Sequence, residues 1–144
     1  MSVTTESVAE TAWAFFDACE TGGGWERCKP FCRPDATFSA QAEPLAEMRT
    51  LQEYTDWMKG LLVLMPDGGY SVRSFATDTE RNNVCVCAVF TGTHTGEGGP
   101  IAPTGRSASS DYVYLMELHD DGRIRHMTKV WNAGWALEQL GWSG

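Results

Sequence analysis

Residues 106–132 read RSASSDYVYLMELHDDGRIRHMTKVWN. Side chains alternate in character up to an Asp-Asp-Gly cluster and again beyond it, the pattern of two antiparallel strands joined by a tight turn. A two-residue loop at Asp121-Gly122 predicts the pairing. On one side Asp111 stands opposite Asn132, Val113 opposite Val130, Leu115 opposite Thr128 and Glu117 opposite His126. On the other, Tyr112 stands opposite Trp131, Tyr114 opposite Lys129 and Met116 opposite Met127. The first side is apolar in the middle with a polar pair at each end, so it is expected to pack beneath helices and open at one end into a cavity. The second is aromatic and methionine-rich throughout, too apolar to be left in water, and is expected to be covered by a second copy of the chain in a homodimer.

Working outward, strands are predicted at Tyr70 to Thr79, Val84 to Thr95, Arg106 to Leu118 and Arg123 to Trp131, an antiparallel meander punctuated by Gly, Asn and Asp clusters. Ahead of them the periodicity changes to that of helices. Val8, Ala12, Phe15, Phe16 and Cys19 mark a helix from Ser7 to Glu20, stopped by Thr21-Gly22-Gly23-Gly24. A short second helix is predicted from Trp25 to Cys32, limited by Pro30 and Pro34, with a short extended piece from Ala36 to Ala40. Thr50 and Glu53 form a capping box that opens a third helix, carried by Leu51, Tyr54, Met58, Leu61, Leu62 and Met65 as far as Pro66. A short helical turn is expected from Trp135 to Leu140. Helices followed by sheet make the fold class α+β, in a single domain over residues 1–144.

The chain has 144 residues, and its 19 acidic against 11 basic side chains leave a formal charge of -8. Such a balance repels phosphate backbones and anionic lipid, so neither nucleic acid nor membrane is an expected partner. Met1 to Glu10 shows no basic stretch followed by an apolar run, and the five cysteines are an odd count without scaffold spacing. A cytoplasmic protein with reduced thiols is expected. Cys28, Cys32, Cys85 and Cys87 miss the usual zinc spacing, and small apolar core residues are the better reading.

Asp111 opposite Asn132 in a mostly apolar cavity has a chemical use: desolvation raises a carboxyl pKa, and the amide can hold a carbonyl in place, which together suit proton transfer beside that carbonyl. The structural alternative is that the two satisfy each other, or pair with Arg106 and Lys129. His94 stands at a strand end before the Gly-rich loop, placed either to reach a pocket mouth or simply to bond the threonines beside it. Gly96-Glu97-Gly98-Gly99-Pro100 lacks the phosphate-loop lysine and reads as a connector or lid. Trp57 at helical spacing is core or substrate clamp, and Asp35 is a turn residue.

Three blocks, Pro34-Asp35-Ala36-Thr37-Phe38, Phe90 to Glu97 leading to Pro103-Thr104-Gly105-Arg106, and Gly122-Arg123-Ile124 through Trp131-Asn132 to Gln139-Leu140-Gly141, resemble the SnoaL-like polyketide cyclases of the nuclear transport factor 2-like superfamily. The resemblance implies a cone-shaped α+β barrel, three amino-terminal helices over a curved, mostly antiparallel sheet, around an apolar pocket that uses neither metal nor organic cofactor. It also implies aldol ring closure by a buried aspartate. At that position this chain has Asn132, which exchanges no proton at neutral pH, so Asp111 is the expected acid. His94 matches the family's histidine block. The expected catalytic set is thus Asp111, His94 and Asn132, with Trp57, Val113 and Val130 lining the pocket. The function implied is cofactor-independent proton transfer on a hydrophobic carbonyl compound, as an aldol cyclase or isomerase. The alternatives are a non-catalytic binder of a small apolar ligand and an epoxide hydrolase-like enzyme.

Overall fold

A computed structural model describes the backbone of residues 5–142 and the side chains of residues 7–142. Helix α1 spans Thr5–Glu20 and buries Val8, Ala12, Phe15, Phe16 and Cys19, the five positions the period marks. Its stop is Gly22, in the left-handed region at φ 80°, where a Cβ would be strained. Helix α2 is one short turn, Gly24–Cys28, and α3 spans Leu51–Leu64 behind the expected Thr50/Glu53 capping box. A fourth helix, α4, spans Ala133–Leu140, opened by Asn132, whose side chain accepts from the Trp135 N–H.

Five strands form one sheet: β1 Cys32–Gln41, β2 Gly69–Asp78, β3 Asn83–Thr93, β4 Ser107–Leu118 and β5 Ile124–Trp131. Their order is β1-β5-β4-β3-β2, antiparallel throughout except for β1, which runs parallel to β5. The short extended piece expected at Ala36–Ala40 is thus a full edge strand. Pro34 fits there because an edge position asks for no second hydrogen-bonded neighbour. The fold is α+β, four helices over a mixed sheet that is not closed on itself.

The β4–β5 pairing matches the expectation from Tyr112↔Trp131 to Glu117↔His126. The turn does not. His119 N–H bonds Arg123 O, Gly122 sits at φ 83°, and Leu118 pairs with Ile124, so the loop holds three residues. A register shift between Glu117 and Leu118 then restores the pairing that a two-residue loop would have set.

The facing of the two sides is the reverse of the expectation. Tyr112, Tyr114, Met116 and Met127 are all 3% exposed or less and belong to the core beneath the helices. Asp111 is exposed and Val130 is 50% exposed on the opposite face, with Val113 and Leu115 half-buried between them. Helix α1 packs on β2 and β3, α3 on β1 and α4 on β4, and these helices need the larger apolar surface. Rings and methionines supply more of it than valines do. The aromatic face is therefore filled from within the chain and is not a dimer contact.

Candidate active site

Lys129 stands in the middle of that inner face. It is 5% exposed, directly across from Tyr114, and five ring centroids surround its ammonium: Trp131 at 4.5 Å, Tyr54 at 5.1 Å, Tyr112 at 5.3 Å, Trp57 at 5.6 Å and Tyr114 at 5.7 Å. Strand alternation brings Tyr112, Tyr114, Lys129 and Trp131 to one face, and successive turns of α3 add Tyr54 and Trp57.

Hydrogen bonds carry the site inward. Lys129 Nζ donates to the Tyr54 hydroxyl at 2.8 Å, the Tyr54 and Tyr114 hydroxyls share a short hydrogen bond, and Tyr114 donates to Glu20 Oε2 at 2.8 Å. Glu20, the last residue of α1, is 1% exposed. Two hydroxyls thus separate a buried ammonium from a buried carboxylate. Burial pushes the Lys129 ammonium down to about 8, while Glu20 and Cys19 pull it up. The ring faces favour the cation too, so the amine is held near the physiological range. Burial raises the Glu20 carboxyl, against Lys129 and the neighbouring tyrosines. Both shifts run toward the neutral pair, and the chain of donors runs from amine to carboxylate, so a proton can pass between the ends without leaving the protein.

A small chamber of about 20 Å³ opens beside Nζ, lined by Glu20, Met58, Phe90, Ser110, Tyr112 and Lys129. That volume suits a group the size of one water. The Tyr112 hydroxyl is buried there without a hydrogen-bond partner, although it lies close enough to Glu20 to bear on its charge. Ser110 Oγ accepts from Trp131 Nε1 at 3.1 Å, which leaves its own proton free to donate. Leu61 and Trp131 line this chamber, an adjoining apolar one of about 30 Å³, and an outer groove of about 560 Å³ between α3, residues 97–100 and α4. They form the partition between solvent and amine. The outer groove falls within the size range of small-molecule sites.

The expected catalytic trio is not brought together. Asp111 is on the outer face, its carboxylate 3.5 Å from the Arg73 guanidinium, with both side chains more than 60% exposed. Asn132 caps α4 and borders a separate open groove of about 670 Å³ with Gln41, Glu43 and Pro44. His94 is fully buried. Its Nδ1 accepts from Trp142 Nε1 at 2.8 Å and faces the Thr104 N–H at 3.4 Å, so its proton belongs on Nε2, and it ties the 95–105 loop and Trp142 to β3. None of the three lines the chambers beside Lys129. Of the expected lining residues, Trp57 borders the groove and the 30 Å³ chamber, while Val113 and Val130 face outward. Arg106 is exposed as well. Lys129, Glu20 and Tyr54 were not anticipated, although one signal was present: a single lysine in a stripe otherwise made of tyrosine, methionine and tryptophan.

An α+β fold of the nuclear transport factor 2-like, cystatin-like kind, with a buried polar cluster under its helices, defines the class. The sequence profile of the SnoaL-like polyketide cyclases matches residues 10–140, and the chain belongs to that family. Among solved structures it is similar to AclR, a proposed hydroxylase from Streptomyces galilaeus, at 20% identity and a TM-score of 0.77 over 96% of this chain and 83% of that one. It is also similar to a SnoaL-like protein proposed as a polyketide cyclase from Jannaschia sp. CCS1, at 17% identity and 0.76 over 96% and 94% of the two chains. IdmH, a proposed polyketide cyclase from Streptomyces antibioticus, is 22% identical with a TM-score of 0.71 over 93% and 98%. No curated protein matches the chain.

Proposed function

We propose that this protein transfers protons at the carbon next to a carbonyl in a small hydrophobic compound, as an aldol cyclase or isomerase does, with Lys129 in the acid-base role expected of Asp111. The observation that carries the reading is an amine buried among five rings, poised at about 8, beside a small chamber that Leu61 and Trp131 separate from an apolar groove. A base works best when its pKa lies near the working pH. The carbonyl oxygen is held by the Ser110 hydroxyl, whose proton is free, and by the Tyr112 hydroxyl, which turns to it from the Glu20 carboxyl beside it. Neutral Lys129 removes the neighbouring C–H proton, and the hydroxyls stabilise the enolate. The enolate carbon then attacks a second carbonyl of the same molecule, and the ammonium returns its proton to the new alkoxide.

Deuterium exchange at the carbon beside the carbonyl of an aromatic polyketide fragment or enone tests this. Wild type should exchange above the buffer rate, and Lys129→Met should not. Binding without exchange would leave the binding-protein reading in place. The five free cysteines support a reducing, cytoplasmic setting. Among the described residues no helix is long and apolar enough to cross a membrane.

A further inference from the structure

The Lys129 amine has surroundings that a simple base does not require. Among the described residues no carboxylate lies within ion-pair distance of it, and its one hydrogen bond goes to an uncharged hydroxyl. The chamber at its side admits a group of water's size, while anything larger must stay in the adjoining chamber or the groove beyond Leu61 and Trp131. A carbonyl group, entering ahead of an apolar body, meets that shape.

We propose that Lys129 is a carbonyl-capturing nucleophile whose amine condenses with a small hydrophobic aldehyde or unhindered ketone to form an imine. The proposal rests on the reading of the site given above and narrows its substrate class. The Nζ lone pair forms a bond to the carbonyl carbon as the C=O π pair moves to oxygen. One nitrogen proton passes to that oxygen, through the Tyr54 hydroxyl, to give a carbinolamine. The nitrogen lone pair then forms C=N while the C–O bond breaks. The departing hydroxyl takes the proton of the Glu20 carboxyl, relayed by Tyr114 and Tyr54, and leaves as water. Carbonyl compound, amine and protonated Glu20 become iminium, Glu20 carboxylate and water, with nothing oxidised or reduced. The iminium carries its charge where the ammonium stood, inside the same five ring faces, which stabilise it as they did the cation. It also acidifies the adjacent C–H, and because Lys129 is then no longer a base, that proton goes to the Glu20 carboxylate which the condensation leaves on the wall of the same chamber.

The test uses the wild-type chain. The protein is incubated with benzaldehyde or cinnamaldehyde and sodium cyanoborohydride at pH 7, then digested and the adducts mapped by mass. The chain has three lysines, Lys29, Lys59 and Lys129. An amine titrating at about 8 is the free base ~10²-fold more often at pH 7 than one at the ordinary ~10.4. The adduct should therefore sit on Lys129 at least ~10-fold above Lys29 and Lys59, with that preference fading as pH approaches ~10. Labelling of Lys29 or Lys59 equal to that of Lys129, or none on Lys129, overturns the proposal. Carbon-proton exchange of a ketone, measured alongside, separates the two readings. Exchange without an adduct removes the imine and leaves the proton-transfer function, whereas an adduct without exchange does the opposite. Because the readout is a site map on unaltered protein, it holds even if Lys129→Met folds poorly.

Discussion

The two faces of β4 and β5 alternate residue by residue, yet a charge placed on each behaves differently. Outside, Asp111 meets Arg73 in water, where an ion pair between exposed side chains contributes under about 1 kcal/mol. Inside, Lys129 meets rings and a hydroxyl, and burial, only partly offset by Glu20 and Cys19, moves its titration from 10.5 to about 8. One face keeps its charges because solvent screens them. The other keeps a single charge against a cost of about 3 kcal/mol below pH 8, and such a group repays attention as chemistry.

The comparison breaks first at activity. If the inner face carries the chemistry, Lys129→Met should lower carbon-proton exchange ~10²- to 10⁴-fold, while Asp111→Asn should leave it within about twofold. The opposite result, measured by proton NMR in deuterium oxide, would return the acid-base role to the outer face.

Packing gives the next largest contrast. Met116 is fully buried and Val130 half-exposed. Met116→Ala should cost about 2–5 kcal/mol in urea unfolding and Val130→Ala under about 0.5 kcal/mol. A large loss at Val130 would mean that the outer face is covered in solution, which is what a homodimer there requires.

Acidity sharpens the same contrast. The Lys129 pKa is lower in the folded chain than in the unfolded one, so from about 8 to about 10.5 the unfolded chain holds the proton that the folded chain has released. Its penalty is complete below pH 8 and fades as pH rises through that window. Lys129→Met should therefore be more stable than wild type at pH 7, by up to about 3 kcal/mol, with the gap closing toward pH 10.5. Thermal melts at several pH values check it. The raised Glu20 carboxyl works the other way: its contribution is complete below the ordinary carboxyl pKa and is lost as pH rises through its higher folded value.

The smallest expected effect is a control on the surface. Arg73→Ala should change stability by less than about 1 kcal/mol, and any loss should vanish in high salt, because the Arg73–Asp111 pair is open to solvent. A loss that survives 1 M salt would show that the pair is shielded.

Local rules were enough for much of the fold. Helical spacing marked the buried positions of α1, the Thr50/Glu53 box opened α3, and alternation around the Asp-Asp-Gly turn set which residue of β4 faces which residue of β5. Each depends on neighbours a few positions apart, or on a hairpin partner reached by a short turn. The wider α+β order and the family resemblance were legible for the same reason, since they rest on the sequence of elements and short motifs. Which side of the hairpin the helices cover was not. Alternation defines two faces without naming the inner one, and that is decided only when α1, α3 and α4 fold back across the sheet and the larger apolar area wins. The site followed that decision. Glu20 and Lys129 lie more than a hundred positions apart, and α1 and β5 bring them to the two ends of a tyrosine chain. The ammonium acquires its perturbed acidity from a burial that no stretch of sequence contains.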